Sequence, residues 1–286
     1  MEIHPECVPC LLGRIIFEAE LIDKNKKREI IEEALNILAD GFGEGVISAE
    51  LATKVHRRVY EILDNNDPYK ELKSMSNETA EKLLPLAEKT IEKKGFLGAI
   101  LVSIAGNVLD FGFREDIKSP KYLENEFENI IEEGLTVDHT EKIKSILEEG
   151  DDVVFFTDNA GEIVFDTLLL KKIKEYDVHL TVVVKGEPIL TDATLEDAKN
   201  YEIDKIADHL ETTGGFAVGV NFNLLSDELK QKLKNTDLII AKGMANWESF
   251  SGTDYRPIAF LTRSKCKPVS STMGVPYDGN VVKLFE

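Results

Sequence analysis

Asp158 and Asn159 are the residues whose types and position most directly indicate chemistry in this sequence. They follow an apolar run at 153–156 (Val-Val-Phe-Phe) that is typical of a buried strand, and a helix-like stretch opens just after them at Ala160 and Gly161. Ligands of open α/β sheets bind at the carboxyl ends of strands. The free backbone N–H groups at a helix start attract anions such as phosphate. The pair therefore indicates a metal-and-phosphate site.

Polar residues also follow the other predicted strands. Asp192 lies after the strand predicted at 179–184, and Lys242, Asn246 and Glu248 lie after the strand predicted at 238–241. Parallel strands place their carboxyl ends at one edge of a sheet, so we expect these clusters to converge in space. Lys265, after a fourth predicted strand at 258–261, is a candidate for a second phosphate-binding lysine.

These residue types suit a divalent metal and a phosphoryl group. Asp158, Asn159 and Asp192 offer only oxygen donors, which hard cations such as Mg²⁺ and Mn²⁺ prefer. Lys242 can neutralise a phosphoryl oxygen, and Glu248 either orients a water molecule or pairs with Lys242. Structural interpretations remain open: Asp158 and Asp192 as helix N-caps, Asn159 as a turn residue and Lys242 as a surface lysine.

Cys7 and Cys10 form a single CxxC motif. One such pair is half of a zinc site or a redox pair, and two small core thiols are an equal alternative. His4 and Cys266 would complete four zinc ligands, but nothing in the sequence places Cys266 nearby.

The sequence contains neither a Gly-x-Ser-x-Gly nucleophile elbow nor a Walker loop. Ala160 stands where aspartyl-phosphate enzymes carry a second Asp, two residues after Asp158, so we favour a metal-activated water over a covalent intermediate.

Two regions must position these side chains. Residues 1–150 show helical spacing of apolar residues almost throughout, with breaks near 41–45, 65–68 and 94–95 and an apolar helix predicted at 96–109. Residues 151–286 alternate strands and helices, which predicts parallel βαβ units. We expect an α/β fold with a Rossmann-like, doubly wound, mostly parallel sheet and a helical N-terminal region over the cleft.

Composition narrows the classes of partner. The 286 residues include 34 Lys and Arg against 53 Asp and Glu, a net charge of −19. Such a field repels nucleic acid and anionic membranes, so neither is an expected partner. No apolar run approaches the roughly 20 residues that cross a bilayer, and no signal peptide is evident. Three cysteines argue against a disulfide framework, and we expect a cytoplasmic protein.

The motifs together resemble the damage-control phosphatase family. The resemblance rests on 158–162 (Asp-Asn-Ala-Gly-Glu), Gly186-x-Pro188 with 191–194 (Thr-Asp-Ala-Thr), Lys242-Gly243-x-x-Asn246-x-Glu248, 105–107 (Ala-Gly-Asn) with Asp110, and the CxxC of an archaeal-type subfamily. It implies a helical region joined to a Rossmann-like domain. It also implies metal-dependent hydrolysis of phosphate monoesters, with Mn²⁺, Co²⁺ or Ni²⁺ often favoured over Mg²⁺.

The resemblance also implies roles for individual residues. Metal ligands carry over to Asp158, Asn159 and Asp192, with Asp192 the first candidate for orienting the attacking water. Substrate contacts and catalytic groups carry over as well, in a set that comprises Asn107, Asp110, Gly161, Glu162, Lys242, Asn246, Glu248 and Lys265. Expected substrates are small phosphorylated metabolites, such as sugar phosphates or damaged nucleotides.

Two other function classes stay open on the sequence alone. One is a Rossmann-like methyltransferase that uses S-adenosylmethionine to methylate carboxyl groups, because some relatives have been credited with that activity. The other is a non-enzymatic binding module stapled by zinc at Cys7 and Cys10. The sequence indicates neither the physiological substrate nor the oligomeric state.

Overall fold

The N-terminal half of the chain is helical, as its apolar spacing predicted. A computed structural model describes residues 1–109 and 120–286. The helices of this half are α1 (Cys7–Ile22), α2 (Lys27–Gly41), α3 (Ser48–Leu63), α4 (Lys70–Ala105), α5 (Pro120–Glu133) and α6 (Thr140–Glu149). Residues at helical spacing, such as Ile30, Ala34 and Leu38 of α2, are buried, so the pattern reports the packed face of each helix.

Helix α4 replaces two elements that the sequence predicted separately. The break expected at 94–95 is a kink at Gly95, whose φ of 59° and ψ of −134° lie outside the helical region. Beyond the kink every residue from Gly98 to Ala105 is buried, and the predicted helix at 96–109 ends in a 3₁₀ turn, Gly106–Leu109. The apolar second half of α4 is therefore a central helix, as its sequence indicated.

A single seven-stranded sheet forms the centre of the C-terminal half. Its strands are β1 (Val137–Asp138), β2 (Asp152–Phe156), β3 (His179–Val184), β4 (His209–Thr212), β5 (Leu238–Lys242), β6 (Ile258–Arg263) and β7 (Asn280–Phe285). The order is β1-β7-β6-β5-β2-β3-β4, and all neighbours are parallel except β6 and β7. This confirms the four predicted strands and the mostly parallel sheet, and it adds β1, β4 and β7.

Helices cover both faces of the sheet. The helices of this half are α7 (Glu162–Ile173), α8 (Leu195–Asn200), α9 (Ile203–Ile206), α10 (Asp227–Asn235), α11 (Gly243–Phe250) and α12 (Lys267–Met273). Alternate residues of β2 point to opposite faces. Val153 and Phe155 join the core that contains α4 and α7, whereas Val154 and Phe156 join the core that contains α10 and α11. The two faces explain why β2 is apolar at every position from 153 to 156.

The strand order reverses between β2 and β5. From β2 the chain passes through β3 to β4 on one side, and then it crosses to β5 and β6 on the other. In the register of these two neighbours, Phe156 pairs with Ala241. Their carboxyl ends lie side by side at the topological switch point, where crevices in such folds bind ligands.

The boundary between the two regions stays a prediction. Strand β1 belongs to the range 1–150 but pairs with β7, with Val137 opposite Val281. Helix α4 of that range packs in the same core as β2 and α7. The described helices include none that is both long and apolar enough to cross a membrane.

Gly95→Ala is expected to lower the free energy of unfolding by about 1 to 2 kcal/mol, because an L-residue is strained at positive φ. A Cβ at Gly95 would meet nothing within 4 Å, so the cost comes from the backbone alone. Gly252→Ala is the matched control, since its Cβ would also enter open space and its φ is not positive. Urea denaturation of both variants checks this, and equal stabilities would contradict it.

Candidate active site

The loops after β2 and β3 are joined through their backbones. Asn159 and Asp192 form an isolated antiparallel bridge. Beside it, the Ala160 amide donates to the Thr191 carbonyl and the Ala193 amide donates to the Asp158 carbonyl, both at 2.8 Å. The structure thus brings Asp158, Asn159 and Asp192 together, as the shared sheet edge predicted.

The side chains of this cluster are oriented by further hydrogen bonds. Asn159 Nδ2 donates to Asp158 Oδ2 at 2.8 Å, and Thr191 Oγ1 donates to Asn159 Oδ1 at 2.8 Å. From the turn after α4, Asn107 Nδ2 donates to Glu162 Oε2 at 3.0 Å and approaches Asp158 Oδ2 at 3.5 Å. Asp158, Asn159 and Asp192 are all buried. The carboxylates therefore hold defined positions instead of moving freely in solvent.

Lys185 is a residue of the site that the sequence did not single out. Its Nζ lies 3.1 Å from Asp192 Oδ2 and also donates to the carbonyls of Ala217 and Gly219. Only 4% of Lys185 is exposed, so the ion pair lies inside the protein. The signal was available, because Lys185 follows β3 in the same way that Lys242 ends β5.

Lys242 lies behind the cluster, in a buried ion-pair network. Its fully buried Nζ is 2.5 Å from Glu162 Oε1 and 2.8 Å from Asp166 Oδ1. Ser103 of α4 donates its hydroxyl to Asp166 at 2.6 Å. The alternative that Glu248 pairs with Lys242 is wrong, because Glu248 instead accepts from the hydroxyl of Ser48. Asp166 was missed, although it stands one helical turn after Glu162 on α7.

The charges of this network shift its ionisation. Burial raises the pKa of Asp166 to about 6 against the opposing charge of Lys242. Burial alone lowers the pKa of Lys242, but the charges of Asp166 and Glu162 outweigh it and raise that pKa. The ammonium therefore stays charged at neutral pH and holds Glu162 in place.

The glycine at the start of α11 lets two elements approach closely. Gly243 has a φ of 75°, and a Cβ there would lie 2.0 Å from Asp158 Oδ2. The first-turn amides of a helix have no acceptor within the helix. Met244 and Ala245 of this turn line the cavity described below. Helix starts of this kind attract anions, and Asp158 lies next to this one.

Two predicted substrate contacts have partners within the protein. The Gly161 amide, expected to face phosphate, donates to Asn77 Oδ1 of α4 at 2.5 Å. Asn246 is buried, and its Nδ2 donates to the carbonyls of Thr157 and Lys242 at 3.1 and 2.7 Å. Asn246 thereby ties the ends of β2 and β5 together. Direct substrate contact by either residue stays a prediction.

A cavity of about 570 Å³ opens at this edge of the sheet. Eight of the predicted site residues line it, namely Cys7, Cys10, Asn107, Asp158, Asn159, Asp192, Glu248 and Lys265. Gly161, Glu162, Lys242 and Asn246 are not part of its lining. Asp110 lies outside the described residues. The cavity is thus bounded by the sheet edge and by α1 and α3 of the helical region.

The three cysteines line one cavity. Cys266, at the start of α12, joins Cys7 and Cys10 of α1 in its wall, and all three are free thiols. Burial raises the pKa of the Cys7 and Cys266 thiols. No three His, Cys, Asp or Glu side chains in residues 1–109 and 120–286 converge as a metal site. The zinc-stapled alternative therefore gains no support.

A hard divalent cation fits the Asp158 cluster better. The donors are two carboxylates, Asp158 and Asp192, with the carboxamides of Asn159 and Asn107. The buried Asn107 Oδ1 has no hydrogen-bond partner among the described residues. An unsatisfied buried oxygen is costly in a native fold. An oxygen-only donor set with one unused oxygen is suited to such a cation.

Lys242→Met is expected to destabilise the protein by about 3 to 5 kcal/mol, because it leaves Glu162 and Asp166 buried without a counter-charge. Urea denaturation measures this. Lys172→Met is the control, since it removes a surface ion pair between α7 and Glu175, just after that helix, and is expected to cost about 0 to 1 kcal/mol. A similar small loss in both variants would show that the buried network contributes little.

Comparisons with known proteins identify the family of this chain. Residues 3–281 match the model of the damage-control phosphatase ARMT1-like domain. A damage-control phosphatase of Archaeoglobus fulgidus is 45% identical over the full length of both chains, and one of Pyrococcus horikoshii is 32% identical over 96% of each. A crystal structure of a DUF89 family protein from Pyrococcus horikoshii superposes with a TM-score of 0.89 at 31% identity over the whole of both chains. The chain belongs to the damage-control phosphatase family.

Proposed function

We propose that this protein is a divalent-metal-dependent phosphomonoesterase that acts on small phosphorylated metabolites. The observation that carries the proposal is the oxygen-only cluster of Asp158, Asn159 and Asp192, with the unused Asn107 Oδ1, at the switch point of the sheet. The family name and the names of the relatives support phosphatase activity. The dependence on a divalent metal and the choice of substrates are what we propose beyond that activity.

Asp158, Asn159 and Asp192 would hold the metal, and Asn107 has an oxygen to add. Bound there, a divalent cation supplies Lewis acidity toward a phosphoryl oxygen and lowers the pKa of a water molecule. Mn²⁺, Ni²⁺ or Co²⁺ is the proposed cation, with Mg²⁺ an alternative. Lys185 balances part of the negative charge by pairing with Asp192.

The chain's own groups bind and orient the phosphate. The amides of Met244 and Ala245 at the start of α11 donate to its oxygens, and Lys265 contributes positive charge from the loop after β6. Asp192 orients the attacking water, with Glu162 as the second candidate. Lys242 acts from behind by fixing Glu162, which in turn accepts from Asn107.

The proposed role is the removal of damaged or surplus phosphometabolites. The net charge of −19 disfavours nucleic acid as a partner. It also makes the local lysines and the cation necessary for an anionic substrate. A cytoplasmic location stays a prediction from the sequence.

Asp158→Asn is expected to reduce metal-stimulated hydrolysis of 4-nitrophenyl phosphate by at least about a hundredfold, because it removes a charged metal ligand while keeping the side-chain shape. Initial rates across Mn²⁺, Ni²⁺, Co²⁺ and Mg²⁺ measure this. Asp151→Asn, an exposed acid just before β2, is the control and is expected to keep wild-type rates. Full metal-stimulated activity in Asp158→Asn would sink the proposed mechanism.

Gly243→Ala is expected to lower the same activity by about a hundredfold, because the new Cβ displaces the Asp158 carboxylate by more than an ångström. Gly274→Ala is the matched control. Its φ of 66° imposes a similar backbone strain, but its Cβ would approach only Lys283 Nζ at 3.4 Å. If both variants lose activity equally, backbone strain rather than the position of Asp158 is responsible.

A further inference from the structure

Three thiols from two distant parts of the chain lie in the wall of the cavity, and the reaction described above uses none of them. Cys7 and Cys10 belong to the first turn of α1, and Cys266 lies at the start of α12. Cys10 is exposed, whereas Cys7 and Cys266 are partly buried. Asp158 and Asp192 line the same cavity. A small molecule that enters this cavity therefore meets a thiol as well as the carboxylate cluster.

The three thiols lie within electrostatic range of one another. Burial raises the pKa of the Cys7 thiol, and the charges of Glu248 and Cys10 raise it further. Burial likewise raises the pKa of the Cys266 thiol, and the charges of Glu248, Cys7 and Cys10 add to that rise. Since Cys10 is the exposed member of this group, it is the thiol that a solute reaches first.

The spacing of Cys7 and Cys10 suits a disulfide. Residues three apart in an α-helix have Cα atoms about 5 Å apart, as the rise and turn of the helix require. Disulfides join Cα atoms that are roughly 4.4 to 6.8 Å apart. The Cβ atoms, about 5 to 6 Å apart on a helix, must approach to about 3.8 Å. Closing the bond therefore requires an adjustment of one or two ångströms within the first turn.

Few hydrogen bonds oppose that adjustment. Helix α1 has no side-chain cap at its N-terminus, and Pro9, between the two cysteines, has no N–H. Cys266 is anchored more firmly, because its carbonyl accepts from both the amide and the hydroxyl of Ser270 at 2.8 Å. Cys7 and Cys10 are therefore the pair that the local backbone favours.

We propose that Cys7 and Cys10 form a thiol–disulfide exchange site in the cavity wall, which takes a small disulfide as its substrate and ends as a Cys7–Cys10 disulfide. This site is separate from the proposed phosphatase reaction and does not depend on it. Its effect on the cavity is protective, because the pair ejects any small thiol that becomes attached to Cys10.

The exchange proceeds in two steps. The Cys10 thiolate attacks one sulfur of the small disulfide, whose S–S bond breaks, so that one half leaves as a thiolate and the other stays on Cys10 as a mixed disulfide. Cys7 then gives up its proton and attacks the Cys10 sulfur, and the second small thiolate leaves. Two protein thiols are oxidised and one small disulfide is reduced to two thiols, which take up the two protons that the cysteines release.

Oxidised glutathione tests the site on the full-length protein. The reduced protein is incubated with a millimolar excess near neutral pH, the remaining thiols are alkylated, and intact and tryptic masses are measured. The wild type is expected to lose two alkylatable thiols and two hydrogens and to retain no glutathione. Arg14 is the first basic residue of the chain, so a Cys7–Cys10 disulfide lies within the peptide 1–14, and Cys266 lies in another peptide.

Matched cysteine variants assign the roles. Cys7→Ser is expected to stop at the mixed disulfide and to retain one glutathione on Cys10. Cys10→Ser is expected to react at least about tenfold more slowly, because its remaining thiols are partly buried. Cys266→Ser is the control and is expected to react like the wild type.

The wild-type result alone is decisive, so a variant that failed to fold would not spare the proposal. Three unreacted thiols, a lasting glutathione adduct, or a disulfide that joins the peptide 1–14 to Cys266 would each overturn it. So would loss of the reaction in Cys266→Ser. The readout is covalent and involves no phosphate hydrolysis, so its failure and the failure of the phosphatase proposal are distinguishable.

Discussion

The burial of the Lys242 ammonium between Glu162 and Asp166 is the constraint on which the site depends. A fully buried charge is tolerable only with partners in close contact. The network joins three elements. Lys242 ends β5, the two carboxylates stand one turn apart on α7, and Ser103 of α4 donates to Asp166. Satisfying one charge therefore aligns the sheet, the helix after β2 and the central helix of the N-terminal region.

The same alignment brings the start of α11 close to Asp158, and the start of α7 close to α4, at the switch point. Gly243 has space for no side chain beside Asp158, and Gly161 has little beside Ser76 of α4. Hydrogen bonds then orient the carboxylates toward the cavity, through Asn159 and Asn107 for Asp158 and through Lys185 for Asp192. Backbone bridges and buried ion pairs therefore fix the positions of these carboxylates.

The fold was largely predictable because its signals are local. Four apolar runs and the helical spacing of the first 150 residues correspond to observed strands and helices. The strands that were missed have weaker signals. β1 has two residues, β4 reads His-Leu-Glu-Thr, and β7 is antiparallel at a position that βαβ alternation does not predict. The sequence predicted a break at 94–95, and the structure has a kink there. The positive φ of Gly95 interrupts α4 without ending it.

The sequence by itself determined that Asp158, Asn159 and Asp192 meet, because residues that follow parallel strands must share one edge of the sheet. Only the tertiary structure decided that Lys242 faces Glu162 and Asp166 rather than the cavity, that Lys185 neutralises Asp192, and that Cys266 joins Cys7 and Cys10. The physical reason is that the local pattern of apolar residues shows where each strand ends, and parallel strands end at the same edge of the sheet. Partners between helices and strands depend instead on packing distances that no spacing in the chain encodes.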